Sequence, residues 1–407
     1  MIINQIQIEK TKLAKNLLNV AVALMFSTEF LCYTLPGLGI LSFFRISYII
    51  GGISFVLLLI SLFFVRQARF YALPFFFGAF LIVLTYSSIL IVEDCSYDML
   101  QITFNFVLCI ILMAQNFEIE KVMRYIMYIS LLVIPGYKIV FAYQWDVLNQ
   151  ANMGAIYAVY VMFAAGVLHF IYYRKELKKL YWIIYIPTLV AGIGILMFGN
   201  RGAILSVFTM GVILFFNRER NIVIGEKKAS RRKILLFLLC AFFAGYLIYN
   251  LGEAFAWAYS IAESIFDEMP SFFVKMDKYI ELNDISNGRS ELNDIIFRLI
   301  GDRPFQGYGI GAFTHYTGYS YPHNFFFQLW FEGGILFTII PTATVLFALY
   351  KLFFFQIIDK ETCVALCFVT SLALPRFLLS SDIWVDRFFW VMVFFVLWNK
   401  KKMKLRI

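Results

Sequence analysis

Charge is what this sequence has least of. Asp, Glu, Lys and Arg make up 15% of its 407 residues, against roughly 25% in a soluble globular chain. Hydrophobic residues make up 61%, and the mean hydropathy is +0.78. A soluble protein of this length needs charged faces that are absent here, so the chain reads as an all-α polytopic membrane protein. The short alternating segments of a membrane β-barrel are missing too, because the apolar runs are long and continuous. Cysteine is sparse: Cys32, Cys95, Cys109, Cys240, Cys363 and Cys367 form no C-x-x-C pair. That pattern suggests neither a disulfide framework nor a metal site, and in apolar runs the thiol acts as a small hydrophobe. The opening MIINQIQIEKTKLAK is polar and basic and leads to no A-x-A site, so no cleavable signal peptide is expected. The formal net charge is +9, which in a soluble protein would suggest nucleic acid. No nucleic-acid motif accompanies it, and basic residues on cytoplasmic loops account for it.

What is present is a succession of runs near the roughly 20 apolar residues that cross a bilayer. Twelve spans are read: 16–35, 43–65, 70–91, 99–115, 122–143, 153–172, 180–198, 202–217, 233–251, 324–350, 362–379 and 385–399. Most of the 35 Lys and Arg fall at the N-terminus, in alternate connections and at the C-terminus, strongest in RERNIVIGEKKASRRK (218–233) and NKKKMKLRI (399–407). By the positive-inside rule both termini are cytoplasmic. Residues 252–323 form the one long connection, richer in acids than bases, and parity puts it outside. Within it RSELNDIIFRLI (289–300) repeats at helical spacing, with Leu292, Ile295, Ile296 and Leu299 on one side, after the Asn287-Gly288 turn signal. One or two amphipathic helices lying on the outer membrane surface or over the bundle are expected. The whole, 1–407, is one membrane domain with one extracytoplasmic loop subdomain.

Three places could carry chemistry. In FGNRGAILSVF (198–208) the only charge between two apolar helices is Arg201. It is either an interfacial anchor or an anion site, since a guanidinium beside helix-end N–H groups suits phosphate oxygens. In SNGRSELNDIIFRLIGDRPFQGYGIGAF (286–313) Arg289 opens the amphipathic helix, as a solvated or headgroup contact or as a second anion ligand, while Arg298 and Arg303 read as structural. Gly307, Gly309 and Gly311 lack the βαβ context of a nucleotide loop; they suit a tight, irregular chain near the membrane. In GYGIGAFTHYTGYSYPHNFFFQLWFEGGI (307–335) lie two of the three histidines, His315 and His323. Pro322 precedes a helix beginning at His323-Asn324, which sets an imidazole at the outer interface. There it is either a hydrogen-bonded structural group or a base for a hydroxyl. Tyr308, Tyr316, Tyr319 and Tyr321 suit an aromatic belt or stacking on sugars. Glu332, a carboxyl inside a span, is a functional group by default; packing against Gly333-Gly334 with a hydrogen-bonded or neutral side chain is the preferred reading. Asp382, Asp386 and Arg387 either pair with one another or help to bind polar substrate.

In this order, NRGAILSVF (200–208), GRSELNDIIFRLIGDRPFQGYGIGAF (288–313) and PHNFFFQLWFEGGIL (322–336) resemble the O-antigen ligase and Wzy-type polymerase superfamily. The resemblance covers about the middle third of the chain. It departs at Asn200, where the family often has Ser, at Asn293, where an aromatic is common, and at Gly334 within the Glu-x-Gly region. It implies a glycosyltransferase that needs no metal or other cofactor and uses undecaprenyl-diphosphate-linked oligosaccharide on the outer face of the bacterial inner membrane. By resemblance Arg201 and Arg289 bind the diphosphate, and His323 lies at the reaction centre with His315 as runner-up. Tyr319, Tyr321 and Asn324 line the substrate. Two guanidiniums would stabilise the departing lipid diphosphate, and no DxD-like motif is present in the loop. The resemblance also implies a chain-length-regulating co-polymerase as partner. A polymerase is favoured over a ligase acting on lipid A-core because the loop is modest in size. A transporter of polysaccharide precursors or a passive scaffold are the readings from other classes; paired polar, broken spans would mark a transporter.

Overall fold

The computed structural model describes residues 2–37, 39, 43–64, 105, 108, 112, 117–137, 155–176, 179–198, 201–222, 259–261, 263–264, 289–319, 322, 324–357, 360–379, 383–384, 386–398 and 403–405. Its elements are helices α1 (Ile2–Gly37), α2 (Phe43–Phe64), α3 (Ile119–Leu132), α4 (Ala155–Tyr173), α5 (Ile186–Phe198), α6 (Arg201–Ile222), α7 (Arg289–Asp302), α8 (Ala312–Thr317), α9 (Phe325–Phe354), α10 (Lys360–Leu379) and α11 (Arg387–Trp398). Two 3-10 turns, Arg174–Glu176 and Lys179–Tyr185, join α4 to α5. Strands β1 (Phe355–Ile357) and β2 (Met403–Leu405) pair antiparallel, Gln356 opposite Lys404. They tie the end of α9 to the C-terminal segment.

Burial sorts the helices into centre and rim. Along α4, Ile156, Ala158, Val159, Tyr160, Val161, Ala164, Ala165 and Leu168 are all buried, and α10 is buried continuously from Cys363 to Phe368. A helix apolar and covered all round belongs in the middle of a bundle. Around these two, α1 packs on α2, α3 and α4, and α6 lies along α10. The outward faces carry large apolar side chains, such as Tyr48, Val56 and Phe63 on α2, Leu189 and Ile193 on α5, and Leu336 and Leu346 on α9. Lipid tails are as apolar as these side chains, so what holds the bundle is close packing and polar contacts between helices. Gly166 shows how close: a Cβ there would overlap Thr188 of α5.

Among the described residues, Lys10–Pro36, Ile46–Phe63 and Ile156–Tyr173 are long and apolar enough to cross a membrane alone, and the bent pair Phe325–Ile339 and Pro341–Phe347 makes a fourth if it is one span. The stretches Trp182–Ile195 and Gly202–Leu214 are shorter apolar helices. The expected spans 70–91 and 233–251, and nearly all of 99–115, lie outside the described residues, as does nearly all of 252–288. Two expected spans are interrupted. The run 122–143 is helical as α3 only to Leu132 and then turns. Pro135 has no N–H to continue the ladder, and Gly136 packs directly on Thr34 of α1. The run 324–350 bends by 71°. The chain 180–198 begins as a 3-10 turn, with α5 proper starting at Ile186.

A polar cluster marks the end of the bundle where α3 begins and α4 ends. The Glu120 carboxylate takes Arg124 and the Nε2 of buried His169 (3.4 Å), whose Nδ1 is 2.8 Å from the Tyr185 hydroxyl. Lys121 pairs with Glu118 at 2.7 Å, and the Tyr173 hydroxyl donates to Glu361 at 2.6 Å.

Candidate functional site

At the other end of the bundle, α9 begins, and the glycine-rich segment and α7 pack on it. Asn324 caps it: its Oδ1 accepts the N–H groups of Phe326 (2.9 Å) and Phe327 (3.3 Å), which satisfies two of the donors a helix start leaves open. Nearly three turns on, the helix breaks at Gly334, whose φ is 69° and ψ −179°. In an unbroken helix the Ile335 N–H would reach the Phe331 carbonyl. Here it reaches the Pro304 carbonyl instead (2.9 Å). The carbonyls freed by the break are taken by the glycine-rich segment: Tyr308 N donates to Phe331 O and Gly309 N to Glu332 O, both at 2.8 Å. The Trp330 indole also donates to Pro304 O at 3.0 Å. Segment 304–309 is thus spliced into the hydrogen bonding of α9. Glycine is required at both contact points. At Gly307, φ is 65° and a Cβ would stand 2.6 Å from the Glu332 carbonyl, and at Gly334 it would collide with the Phe305 carbonyl.

The splice brings α7 down onto α9. Leu292, Ile296 and Ile300, spaced by four, are buried with Tyr308, Ala312, Phe313 and Phe331, while Ile295 and Leu299 are half-buried. The amphipathic stripe read from the sequence therefore covers the bundle. Where water is the alternative environment, each fully covered Leu or Ile contributes about 1.5–3 kcal/mol as an upper estimate. Phe297 meets Phe327 edge-on at 4.9 Å, and Tyr308 stacks on Phe331 at 4.7 Å, with the Arg303 guanidinium 4.9 Å from the centre of the Tyr308 ring. Arg303 is therefore a packing residue. Burial, with Asp302 nearby, pushes the Tyr308 phenol above its ordinary range, and it donates to the Leu299 carbonyl at 2.9 Å. The chain then enters α8, which presents His315, Tyr316 and Tyr319 beyond it as exposed groups, the His315 ring edge-on to Tyr316.

The backbone of α6 starts at Arg201 and is pressed against α4. A Cβ at Gly202 would overlap the Tyr157 phenol. The Ser206 hydroxyl donates to Gly202 O and Tyr160 to Ser206 O. The Tyr157 ring lies under the Arg376 guanidinium at 5.1 Å. Arg376 Nη1 donates to both oxygens of Glu29 at 3.2 Å, and its Nε stands 3.8 Å from Asp386. Asp386 also caps α11 through Phe388 N (3.0 Å), and Arg387 donates to Met25 O. Asp386 thus pairs with Arg376, a partner outside the set Asp382, Asp386 and Arg387 read from the sequence. Just before Asp386 in the chain, Ile383 N donates to Gln328 Oε1 and the Trp384 indole to Glu332 Oε2. Contacts thus link Gly202 to Tyr157, Tyr157 to Arg376 and Arg376 to Asp386, while Trp384, two positions before Asp386 in the chain, bonds to α9.

Of the elements named from the sequence, α6, which Arg201 heads, and α7, which Arg289 heads, both touch α9. The side chains of Arg201 and Arg289, and all of His323, Tyr321 and Asp382, lie outside what the structure describes. Glu332 is packed and hydrogen-bonded, as read. The sequence reading passed over Glu29 and Arg376, although opposite charges inside two apolar spans are themselves a signal. Among the described residues no group of three or more His, Cys, Asp and Glu is placed to hold a metal ion.

Residues 186–341 match the family model described as O-antigen ligase. This interval contains all three motif regions. No curated protein and no solved structure matches the chain.

Proposed function

We propose, from a chain that carries an O-antigen ligase family domain over residues 186–341, that it is a polysaccharide polymerase of the bacterial inner membrane. It would move a growing glycan from undecaprenyl diphosphate to the sugar of a lipid-linked repeat unit on the outer face, with both termini cytoplasmic. The observation that supports this most is the convergence on α9. The helices headed by Arg201 and by Arg289 both touch the helix that follows His323, which supports a reading in which two guanidiniums and an imidazole share one site.

The chemistry follows from that set. Breaking the bond between sugar and phosphate leaves negative charge on the lipid diphosphate, which Arg201 and Arg289 would hold by charge-assisted hydrogen bonds. His323 would orient the acceptor hydroxyl and take its proton as the new glycosidic bond forms, with His315 as the second candidate. Direct displacement inverts the anomeric carbon. The apolar flanks of α9 and α6 would accommodate the polyprenyl chain, and the exposed Tyr319 on the loop, with Tyr321, would meet sugar faces. A chain-length-regulating co-polymerase is the expected partner.

A ligase that transfers finished glycan to lipid A-core is the second reading, favoured by the description of the matching family model. The polymerase is preferred because 252–323 is a modest loop. The glycan profile of a deletion strain separates them. Single repeat units left on the carrier identify a polymerase; long chains stranded on the carrier identify a ligase; an unchanged profile overturns both. Complementation with Arg201→Ala, Arg289→Ala or His323→Ala is expected to give at least a hundredfold less extension at normal membrane levels.

A further inference from the structure

We propose that Glu332 is a positioning residue for this site: its buried carboxylate fixes the glycine-rich segment 307–311 against the first turns of α9. The inference rests on the transferase reading above. Glu332 is 1% exposed, and its two oxygens are met by N–H donors from three separate stretches of chain. The Trp384 indole reaches Oε2 at 2.6 Å, and Gln328 Nε2 (3.2 Å) and Gly311 N (3.4 Å) reach Oε1. The orientation of the Gln328 amide is fixed from its other side, because its oxygen accepts Ile383 N–H at 3.1 Å. Indole, amide and backbone N–H groups can only donate, so these contacts suit a carboxylate and no other group of that shape. The same residue holds the loop a second time, through its carbonyl and Gly309 N. Trp384 is in turn held by Asn105, whose amide donates to its carbonyl at 2.7 Å.

The distance along α9 decides between catalysis and positioning. Eight residues separate Asn324 from Glu332, about 12 Å at the helical rise of 1.5 Å per residue. A carboxylate that far down the helix and that buried does not touch a substrate held at the helix start. It sets where the loop stands relative to that start.

The test uses full-length protein in nanodiscs and, as substrate, the lipid-diphosphate-linked oligosaccharide extracted from the deletion strain. Glu332→Gln keeps the shape but turns an NH2 toward a donor. It is expected to lower kcat about 10- to 100-fold, the scale of a misplacement near 1 Å, with KM within about twofold. Amide exchange should speed up in 305–313 and stay unchanged in α4 and α10. Trp384→Phe removes one donor, leaves the carboxylate, and is expected to shift the same two readouts less. It carries the test alone if Glu332→Gln fails to insert. Unchanged kcat and exchange, a rise in KM alone, or faster exchange throughout the bundle would each overturn the inference. Absence of transfer by the wild-type protein would sink the transferase reading instead, while exchange in 305–313 still reports on the positioning.

Discussion

At Gly334 the backbone has φ 69° with ψ near 180°, a region essentially reserved for glycine that costs other residues about 1–3 kcal/mol. A side chain there also meets the Phe305 carbonyl, so relaxing the strain means moving the loop. Gly334→Ala is expected to lower the thermal midpoint in detergent and to abolish glycan extension, measured side by side on the purified protein and in the complemented strain. The reading of single residues from the sequence succeeded where the physics is local. Asn324 as a helix start and the stripe Leu292, Ile296 follow from capping and a 3.6-residue period. It failed for Arg376 and Glu29, which are 347 positions apart. Nothing in either neighbourhood names the other.

Between elements, buried charge does what apolar packing in lipid cannot, which is to fix which helix meets which. The Glu29–Arg376–Asp386 cluster ties α1, α10 and the head of α11 together. Arg376→Met leaves two carboxylates without their cation and is expected to cost about 3–5 kcal/mol. The double variant Glu29→Gln/Arg376→Met should be closer to wild type than the sum of the singles, as a double-mutant cycle on thermal unfolding would show. At the opposite end, burial pushes the Glu120 carboxyl up, but its bond to His169 and the charge of Arg124 outweigh this and hold its pKa below the ordinary carboxylate value. A carboxyl whose folded pKa is depressed contributes stability above its unfolded pKa and loses it as pH falls through the folded one. The thermal midpoint should therefore fall on acidification through the range below about pH 4.5, and Glu120→Gln should flatten that part of the curve.

For the whole molecule, composition was enough to read a helical membrane protein, because a bilayer admits few solutions and long apolar runs announce one of them. The interruptions were not read. A hydropathy average passes over Pro135 and Gly334 without change, whereas the hydrogen-bond ladder does not. Sidedness is open to a direct check. Tyr319→Cys is expected to react with a membrane-impermeant maleimide in intact cells, and Lys228→Cys only after lysis, each scored against the wild-type background. The reverse pattern would invert the topology read from the basic residues.

The splice between 304–309 and α9 also has a consequence for how the protein is made. Alone in lipid, a helix broken at Gly334 would hold bare carbonyls at Phe331 and Glu332 and a bare N–H at Ile335, each costing several kcal/mol. Their partners, Pro304, Tyr308 and Gly309, are synthesised first. The loop is therefore already through the ribosome when the strand of chain that needs it arrives. α9 is expected to leave the insertion machinery only once it has docked, so the last third of the protein acquires an obligatory order of birth.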